Sequence, residues 1–207
     1  MKRSLTLLNI VALLALAAVA CAKAPDDDIN AAKAEMDRAK ASQADIWAPT
    51  EYKAADEAMN AAQTEIAAQN DKWVKNYDKA KELLAKAKEE AGKASEAAVA
   101  SKEQAKKDSD AAISAADTAL KTADAALKVA PQTKDSKADL ALFKGDLATL
   151  GTTLDGARQA FGSGDYKKAL ESATTVKDKA TSIADQLEEA KKKRSAHATK
   201  AAPSKKR

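Results

Sequence analysis

The stretch that decides the fold most clearly is residues 140–161, which have the sequence LALFKGDLATLGTTLDGARQAF. Its large apolar residues recur at alternating steps of three and four, which is the 3.5-residue period of a coiled-coil helix. The positions on this seam are Leu140, Phe143, Leu147, Leu150, Leu154, Ala157 and Phe161. The stretch therefore predicts a helix of about six turns that buries one face against other helices.

Similar seams flank this stretch, although more of their positions are alanine. On the C-terminal side, Gly162-Ser163-Gly164 predicts a helix end and Asp165 is suited to cap the next helix. The inner face of that helix is predicted as Tyr166, Ala169, Ala173, Val176, Ala180, Ile183 and Leu187. On the N-terminal side, Pro131 ends a seam made of Ile113, Ala116, Leu120, Ala123, Leu127 and Ala130.

The N-terminal half of the chain has the same pattern. One face carries Ile29, Ala32, Met36, Ala39 and Ile46, with Gln43 in the remaining slot. Ala48-Pro49 predicts a new helix start, because proline suits the first helical position. The next seam is Tyr52, Ala55, Met59, Ala62 and Ile66, continued by Trp73, Ala80, Ala87 and Ala94. Two interpretations are open at Asn70-Asp71, either one continuous helix or a turn. Near Lys107-Asp108-Ser109 the seam slips by one position.

Composition limits the fold class and the weight of the core. The 207 residues include about 53 alanines, 32% charged residues and only 3% aromatic residues. Alanine has the best helix propensity, and β-branched and turn residues are few. We therefore predict an all-α protein of elongated antiparallel helical hairpins, or a coiled-coil bundle with alanine-rich heptad seams. Because each alanine buries little area, such seams are weak per residue and self-association would add to them.

The first 21 residues have the pattern of an export signal. Lys2 and Arg3 precede an apolar stretch over residues 5–20 that is too short for a confident membrane span. It ends in Ala18-Val19-Ala20-Cys21, which resembles the bacterial lipobox. That resemblance implies a signal peptide at residues 1–20, cleavage before Cys21, diacylglycerol on its sulfur and a palmitate-type acyl chain on its amine. The alternative is an ordinary secretory signal with Cys21 nearby by chance.

The residues after Cys21 bear on sorting and on the tether. Ala22 stands where inner-membrane lipoproteins carry Asp, so the lipobox resemblance implies a place on the periplasmic face of the outer membrane. Residues 21–28 are predicted to be an acylated cysteine followed by an acidic linker that contains Asp26-Asp27-Asp28. This triplet is interpreted as a solvated spacer that favours a helix N-terminus, rather than as a loose cation site.

Positive charge is concentrated at the C-terminus. The chain has a net charge of +4. The signal peptide contributes +2 and residues 191–207 contribute +8, so residues 21–190 carry a net charge of −6. Residues 191–207 lack apolar periodicity and are predicted to be a disordered basic tail. The tail is interpreted either as a solubilising end or as a contact with peptidoglycan or lipopolysaccharide. The candidate contact residues are Lys191, Lys192, Lys193, Arg194, Lys205, Lys206 and Arg207. An exported protein rarely meets nucleic acid, so no nucleic-acid partner is expected.

Little in the chain predicts catalysis. The single histidine, His197, lies in the basic tail, and the carboxylates alternate with lysines as on solvated helix faces. No catalytic residue, metal site or cofactor is expected beyond the lipid groups on Cys21. Four of the seven aromatic residues, Trp47, Tyr52, Trp73 and Tyr77, form either a recognition patch or, as we favour, packing at helix ends.

A family resemblance covers about a third of the chain. Within residues 29–98, the matching positions are Ala48-Pro49, Ala55, Ala58, Ala62, Tyr77, Ala80, Leu84, Ala87, Ala91 and Ala94. This pattern resembles the family called Domain of Unknown Function 4398, which implies a helical envelope lipoprotein with no known active site. A looser similarity links the chain to the murein lipoproteins, which share the acylated cysteine and the alanine heptads.

These observations predict two helical regions, at residues 29–107 and 108–190. The expected function is that of a lipid-anchored periplasmic lipoprotein with a structural or scaffolding role. The alternative is a helical adaptor that docks a partner protein in envelope assembly. The segment from Ala157 to Leu170 is similar to half of a tetratricopeptide helix pair, which favours the adaptor.

Overall fold

The computed structural model describes the backbone of residues 23–133 and 136–201. Within these residues the chain is helical and contains no strand, which confirms the predicted all-α class. The signal peptide, Cys21 and the C-terminal residues Lys205, Lys206 and Arg207 lie outside the described residues. The helices are α1 (Asp26–Ala41), α2 (Ala44–Trp47), α3 (Pro49–Asn70), α4 (Asp78–Lys128), α5 (Lys137–Gly162) and α6 (Tyr166–Ala201).

Helix α1 begins earlier than predicted, at Asp26. Its first turn contains Asp26, Asp27 and Asp28, so the prediction that these residues form a linker is wrong, while the prediction that the triplet favours a helix N-terminus is confirmed. The helical arrangement is favourable because three carboxylates lie beside the positive end of the helix dipole. Four residues therefore separate Cys21 from the first helix.

The first break in the chain comes at Ser42-Gln43, where the sequence pattern predicted continued helix. Gln43 has a φ of 59°, in the left-handed region, and its side-chain oxygen accepts a hydrogen bond of 2.8 Å from Lys102 Nζ. This conformation rotates the following turn, so that Ala44 is buried and Ile46 is 47% exposed. The prediction that Ile46 lies on the buried face is therefore wrong.

Helix α3 begins at Pro49 as predicted and ends at Asn70. A non-helical segment, residues 71–77, then leads to α4, which decides the open question at Asn70-Asp71 in favour of a turn. The predicted seam on α3 is confirmed, since Ala55, Met59 and Ala62 are buried. Its continuation to Trp73 is wrong, because that side chain is 90% exposed.

Helix α4 has 51 residues and carries two seams in different registers. The first seam runs along buried positions at steps of three and four up to Ala98. The second begins at Ser109, which is fully buried although it is polar, and continues through Ala116 and Ala123 to Ala130. The buried positions are thus displaced by one residue between the two seams, as the sequence indicated.

The described chain forms two compact units, one up to Lys102 and the other from Glu103. The first unit packs α1, α2, α3 and the beginning of α4 around two small clusters. One cluster holds Ala32, Ala58, Met59, Ala62, Leu84 and Ala87. The other holds Ala39, Ala44, Ala48, Ala55, Ala91, Ala94 and Ala98. This core therefore consists almost entirely of alanine.

The second unit is a three-helix bundle made by the rest of α4 with α5 and α6. Its core contains the leucines predicted from the opening heptad run, Leu147, Leu150 and Leu154, packed with Val176 and other residues of α6. Helices α5 and α6 are joined by a tight turn at Ser163-Gly164-Asp165. In this turn Gly164 has a φ of 83°, and Asp165 Oδ1 accepts the backbone N–H of Lys168 at 3.2 Å. The predicted helix end and cap are thus confirmed.

Helix α6 continues well past Leu187, the last residue of its predicted seam. It reaches Ala201, so the prediction of disorder from Lys191 is wrong for residues 191–201. Helix persists there without an apolar stripe because alanine and lysine favour it and because acid–base pairs join successive turns. Lys191 Nζ lies 3.5 Å from Glu188 Oε1, and Lys193 Nζ lies 3.4 Å from Glu189 Oε2.

Candidate functional site

The described part of the candidate tail contact is the last portion of α6. Lys191, Lys192, Lys193 and Arg194 occupy one helical turn, and all four are exposed. The ion pairs of Lys191 and Lys193 with Glu188 and Glu189 are open to solvent, and such pairs are worth only about 0–1 kcal/mol. An anionic polymer can therefore compete for these ammonium groups at little cost.

Besides belonging to this basic turn, Arg194 has a second structural role that the sequence did not predict. It lines a cleft of about 340 Å³ at one end of the second unit, where the end of α4, the start of α5 and α6 meet. The apolar lining is Ala130, Pro131, Leu140, Phe143, Leu187 and Ala190. The polar lining is Thr133, Ser136, Asp139, Gln186 and Arg194. A cleft lined by six apolar residues, with Asp139 and Arg194 as its charged groups, has the mixed lining that suits an amphipathic segment.

Hydrogen bonds within the connection fix the α4–α5 side of this cleft. Ser136 Oγ donates to the carbonyl oxygen of Pro131 at 2.8 Å, and it accepts the backbone N–H of Thr133 at 2.9 Å. The sequence indicated part of this cleft, because Leu140 and Phe143 continue the apolar seam of α5 on the N-terminal side of the buried leucines. The sequence did not reveal that Arg194 lines the same cleft as these two residues.

The four aromatic residues considered together in the sequence do not form one patch. Trp47 and Tyr52 pack against the alanine cluster that contains Ala44 and Ala98. Tyr77 is 4% exposed, and its hydroxyl donates a hydrogen bond of 2.5 Å to Asn70 Oδ1. The packing interpretation holds for these three side chains, while Trp73 is exposed.

Three carboxylates, Glu65, Glu89 and Asp117, have pKa values lowered by their partners, and Lys93, which pairs with Glu89, has a raised pKa. A hydrogen bond from Lys121, together with a contact from Arg158, holds the pKa of Asp117 below its ordinary value. A hydrogen bond from Gln69 likewise lowers the pKa of Glu65, and Lys79 adds to the effect. These groups stay charged at neutral pH and have their partners on the surface, which is the behaviour of structural ion pairs.

Among residues 23–133 and 136–195, no group of three or more His, Cys, Asp or Glu side chains is arranged to share a metal ion. In the same part of the chain, each helix is too short or too polar to cross a bilayer.

Cys21, the most specific residue in the sequence, precedes the described residues by one position, Ala22. The nearest described helix is α1, which begins five residues after Cys21, at Asp26.

In comparisons with known proteins, no family model, no curated protein and no solved structure matches this chain.

Proposed function

We propose that this chain is a lipid-anchored bacterial envelope lipoprotein with a structural or scaffolding role and no enzymatic activity. It is held by Cys21 on the periplasmic face of the outer membrane. The observation that carries the proposal is the Ala18-Val19-Ala20-Cys21 sequence directly after an apolar stretch, in a chain whose only cysteine is this one. Two or more acyl chains on one residue are enough for stable attachment to a bilayer.

The short connection from Cys21 to α1 supports an anchoring role. Five residue steps lead from Cys21 to Asp26, and an extended chain covers at most about 18 Å over that distance. The first helical unit is therefore held close to the surface to which Cys21 attaches. A close tether suits a protein that acts at the membrane more than one that must reach across the periplasm.

The scaffolding role is supported by the nature of the surfaces. Asp117 and Glu65, which have lowered pKa values, are half-buried carboxylates whose cationic partners are exposed, Lys121 and Arg158 for Asp117 and Lys79 for Glu65. Catalysis requires such groups to converge in a concave site that excludes water. The helices instead offer extended charged faces, and the basic end of α6 offers a surface for peptidoglycan or lipopolysaccharide.

Metabolic labelling tests the anchor. Cells that express the wild-type chain should incorporate labelled fatty acid into it, while Cys21→Ser removes the only candidate attachment sulfur and should abolish the label. Cys21→Ala serves as a second variant, to separate loss of the thiol from the presence of a hydroxyl. Equal labelling of wild type and both variants would show that the lipid is elsewhere and refute the anchor.

Sedimentation with purified sacculi tests the basic end of α6. A variant with Lys191, Lys192 and Lys193 changed to glutamine should bind several-fold less at low salt, because each lysine contributes electrostatic attraction. The matched control changes Lys167 and Lys168 to glutamine at the other end of the same helix and should bind as the wild type does. Equal binding by all three proteins would assign the tail to solubility alone.

The cleft beside Arg194 favours a second candidate function, that of an adaptor for a partner protein. Phe143→Ala and Arg194→Gln should then remove a crosslinked partner in cells, while the lysine variant of α6 retains it. The opposite pattern, with crosslinks lost only in the lysine variant, favours the polymer contact. Crosslinks between two copies of this chain would indicate self-association.

A further inference from the structure

The segment that joins α3 to α4 is held in one conformation by side-chain hydrogen bonds. Gln69 is buried; its Nε2 donates to Glu65 Oε1 at 2.7 Å and its Oε1 accepts the backbone N–H of Asn76 at 3.1 Å. The hydroxyl of Tyr77 donates to Asn70 Oδ1, which adds a second link from the end of α3 to the start of α4. Both ends of the loop over residues 71–76 are therefore fixed.

This fixed loop presents apolar side chains to solvent. Trp73 is 90% exposed and Val74 is 55% exposed, and among the described residues Trp73 is the most exposed large hydrophobic side chain. The aromatic side chain at the end of this loop, Tyr77, is only 4% exposed, whereas Trp73 within the loop is not turned inward. A tryptophan that is exposed on an ordered loop therefore suits a surface that contacts an apolar environment.

The charges around Trp73 and Val74 indicate which apolar environment suits them. Lys72 and Lys75 flank the pair directly, and residues 70–81 contain four lysines and two aspartates. Lys79 Nζ lies 3.7 Å from Glu65 Oε2 and the charge of Lys72 also acts on Glu65, while Lys72 and Lys75 are the basic residues next to Trp73 and Val74 in the sequence. Tryptophan between lysines matches the boundary of an anionic bilayer, where indole lies at the headgroup level and ammonium groups meet phosphates.

The topology of the first unit places this loop at the membrane-proximal end. Ile29 in α1 packs against the cluster formed by the later part of α3 and the beginning of α4, together with Ile66 and Leu83. The later part of α1 belongs to the other cluster, with Ala94 and Ala98. The start of α1 and the loop with Trp73 therefore lie at the same end of the unit.

We propose that Trp73 and Val74 insert into the interfacial layer of an anionic lipid bilayer, with Lys72 and Lys75 contacting phosphate headgroups. The loop would be a second membrane contact that fixes the orientation of the first unit on the bilayer. The proposal rests on the lipid anchor only in that Cys21 would bring this end to the surface in cells. The proposed contact of the loop can be tested without acylation, because Cys21 can be coupled to a lipid chemically.

The test attaches residues 21–207, which include every described residue, to vesicles through the Cys21 thiol and a maleimide lipid. Trp47→Phe leaves Trp73 as the single tryptophan, whose emission is excited selectively over that of the tyrosines. On vesicles of phosphatidylethanolamine and phosphatidylglycerol with brominated acyl chains, we expect Trp73 emission to shift to the blue and to be quenched several-fold. Water-like, unquenched emission would overturn the proposal.

Two comparisons sharpen this result. A matched control carries Val99→Trp with Trp47→Phe and Trp73→Phe; Val99 is 60% exposed and adjoins Ala98 in the other cluster. The control should stay unquenched, and quenching equal to that of Trp73 would refute a specific contact of the tip.

Changing Lys72 and Lys75 to glutamine, or using phosphatidylcholine vesicles, should reduce the quenching of Trp73 several-fold, and an unchanged value would refute the headgroup contact. Because coupling is chemical, these results are independent of whether cells acylate Cys21.

Discussion

Gly164 and Gly156 belong to the same helix–turn segment but differ in backbone conformation. Gly164 has a φ of 83° at the end of α5, whereas Gly156 lies within the helix, and a Cβ at either position meets nothing within 4 Å. Gly164→Ala should therefore lower the free energy of unfolding by about 1–2 kcal/mol through backbone strain alone. Gly156→Ala should raise it by up to about 1 kcal/mol through helix propensity. Urea unfolding measures both, and changes of the same sign would contradict this account of the turn.

Asp117 gives the clearest pH dependence at the residue scale. Its carboxylate pairs with Lys121 and with Arg158, which lies on α5 at 2.9 Å. Because these partners lower its folded pKa, it stabilises the fold above the unfolded pKa of about 4, and this contribution is lost as the pH falls through the folded pKa. Asp117→Asn should thus lose less stability than the wild type between pH 6 and pH 3. Asp110→Asn, an exposed carboxylate on the same helix, should behave as the wild type, and an equal effect of both variants would contradict the role of this pair.

At the scale of the element, the alanine seam of α4 sets how closely helices can approach. Ala94 is fully buried, while Ala100 is exposed on the same helix. Ala94→Leu should lower the free energy of unfolding by about 1–3 kcal/mol, because the extra methyl groups meet a packed neighbour. Ala100→Leu should be near neutral by the same urea measurement. A stabilising Ala94→Leu would mean that the seam contains unfilled space.

Some features of the helices and their connections could be predicted from the sequence, and others could not. The seams, Pro49, Gly164 and Asp165 were predictable because apolar period and capping chemistry are local. The break at Gln43 was not, since its left-handed conformation is accompanied by a contact with Lys102, 59 residues away. The loop after Asn70 depends on hydrogen bonds between Gln69 and Asn76, which an apolar seam does not reveal. The cleft was missed because Arg194 and Phe143 come to line the same space only through the packing of the second unit.

At the scale of the whole molecule, the two units differ in the side chains of their cores. The first relies on alanine with Met59 and Leu84, whereas the second contains several buried leucines with Val176. Burying a leucine or valine contributes about 1.5–3 kcal/mol, well above the contribution of one methyl group. Native-state hydrogen exchange should therefore show lower opening free energies for residues 23–102 than for residues 103–195. Equal or higher protection of the first unit would contradict this ranking.

The proposed lipid anchor at Cys21 can be measured directly as the intact mass of the protein extracted from its own membrane. We expect a chain that begins at Cys21 and carries the mass of a diacylglycerol group and an amide-linked acyl chain. The N-terminal proteolytic fragment should account for all of the added mass. A chain that retains Met1, or one that has been cleaved and carries an unmodified Cys21, would contradict the proposed anchor.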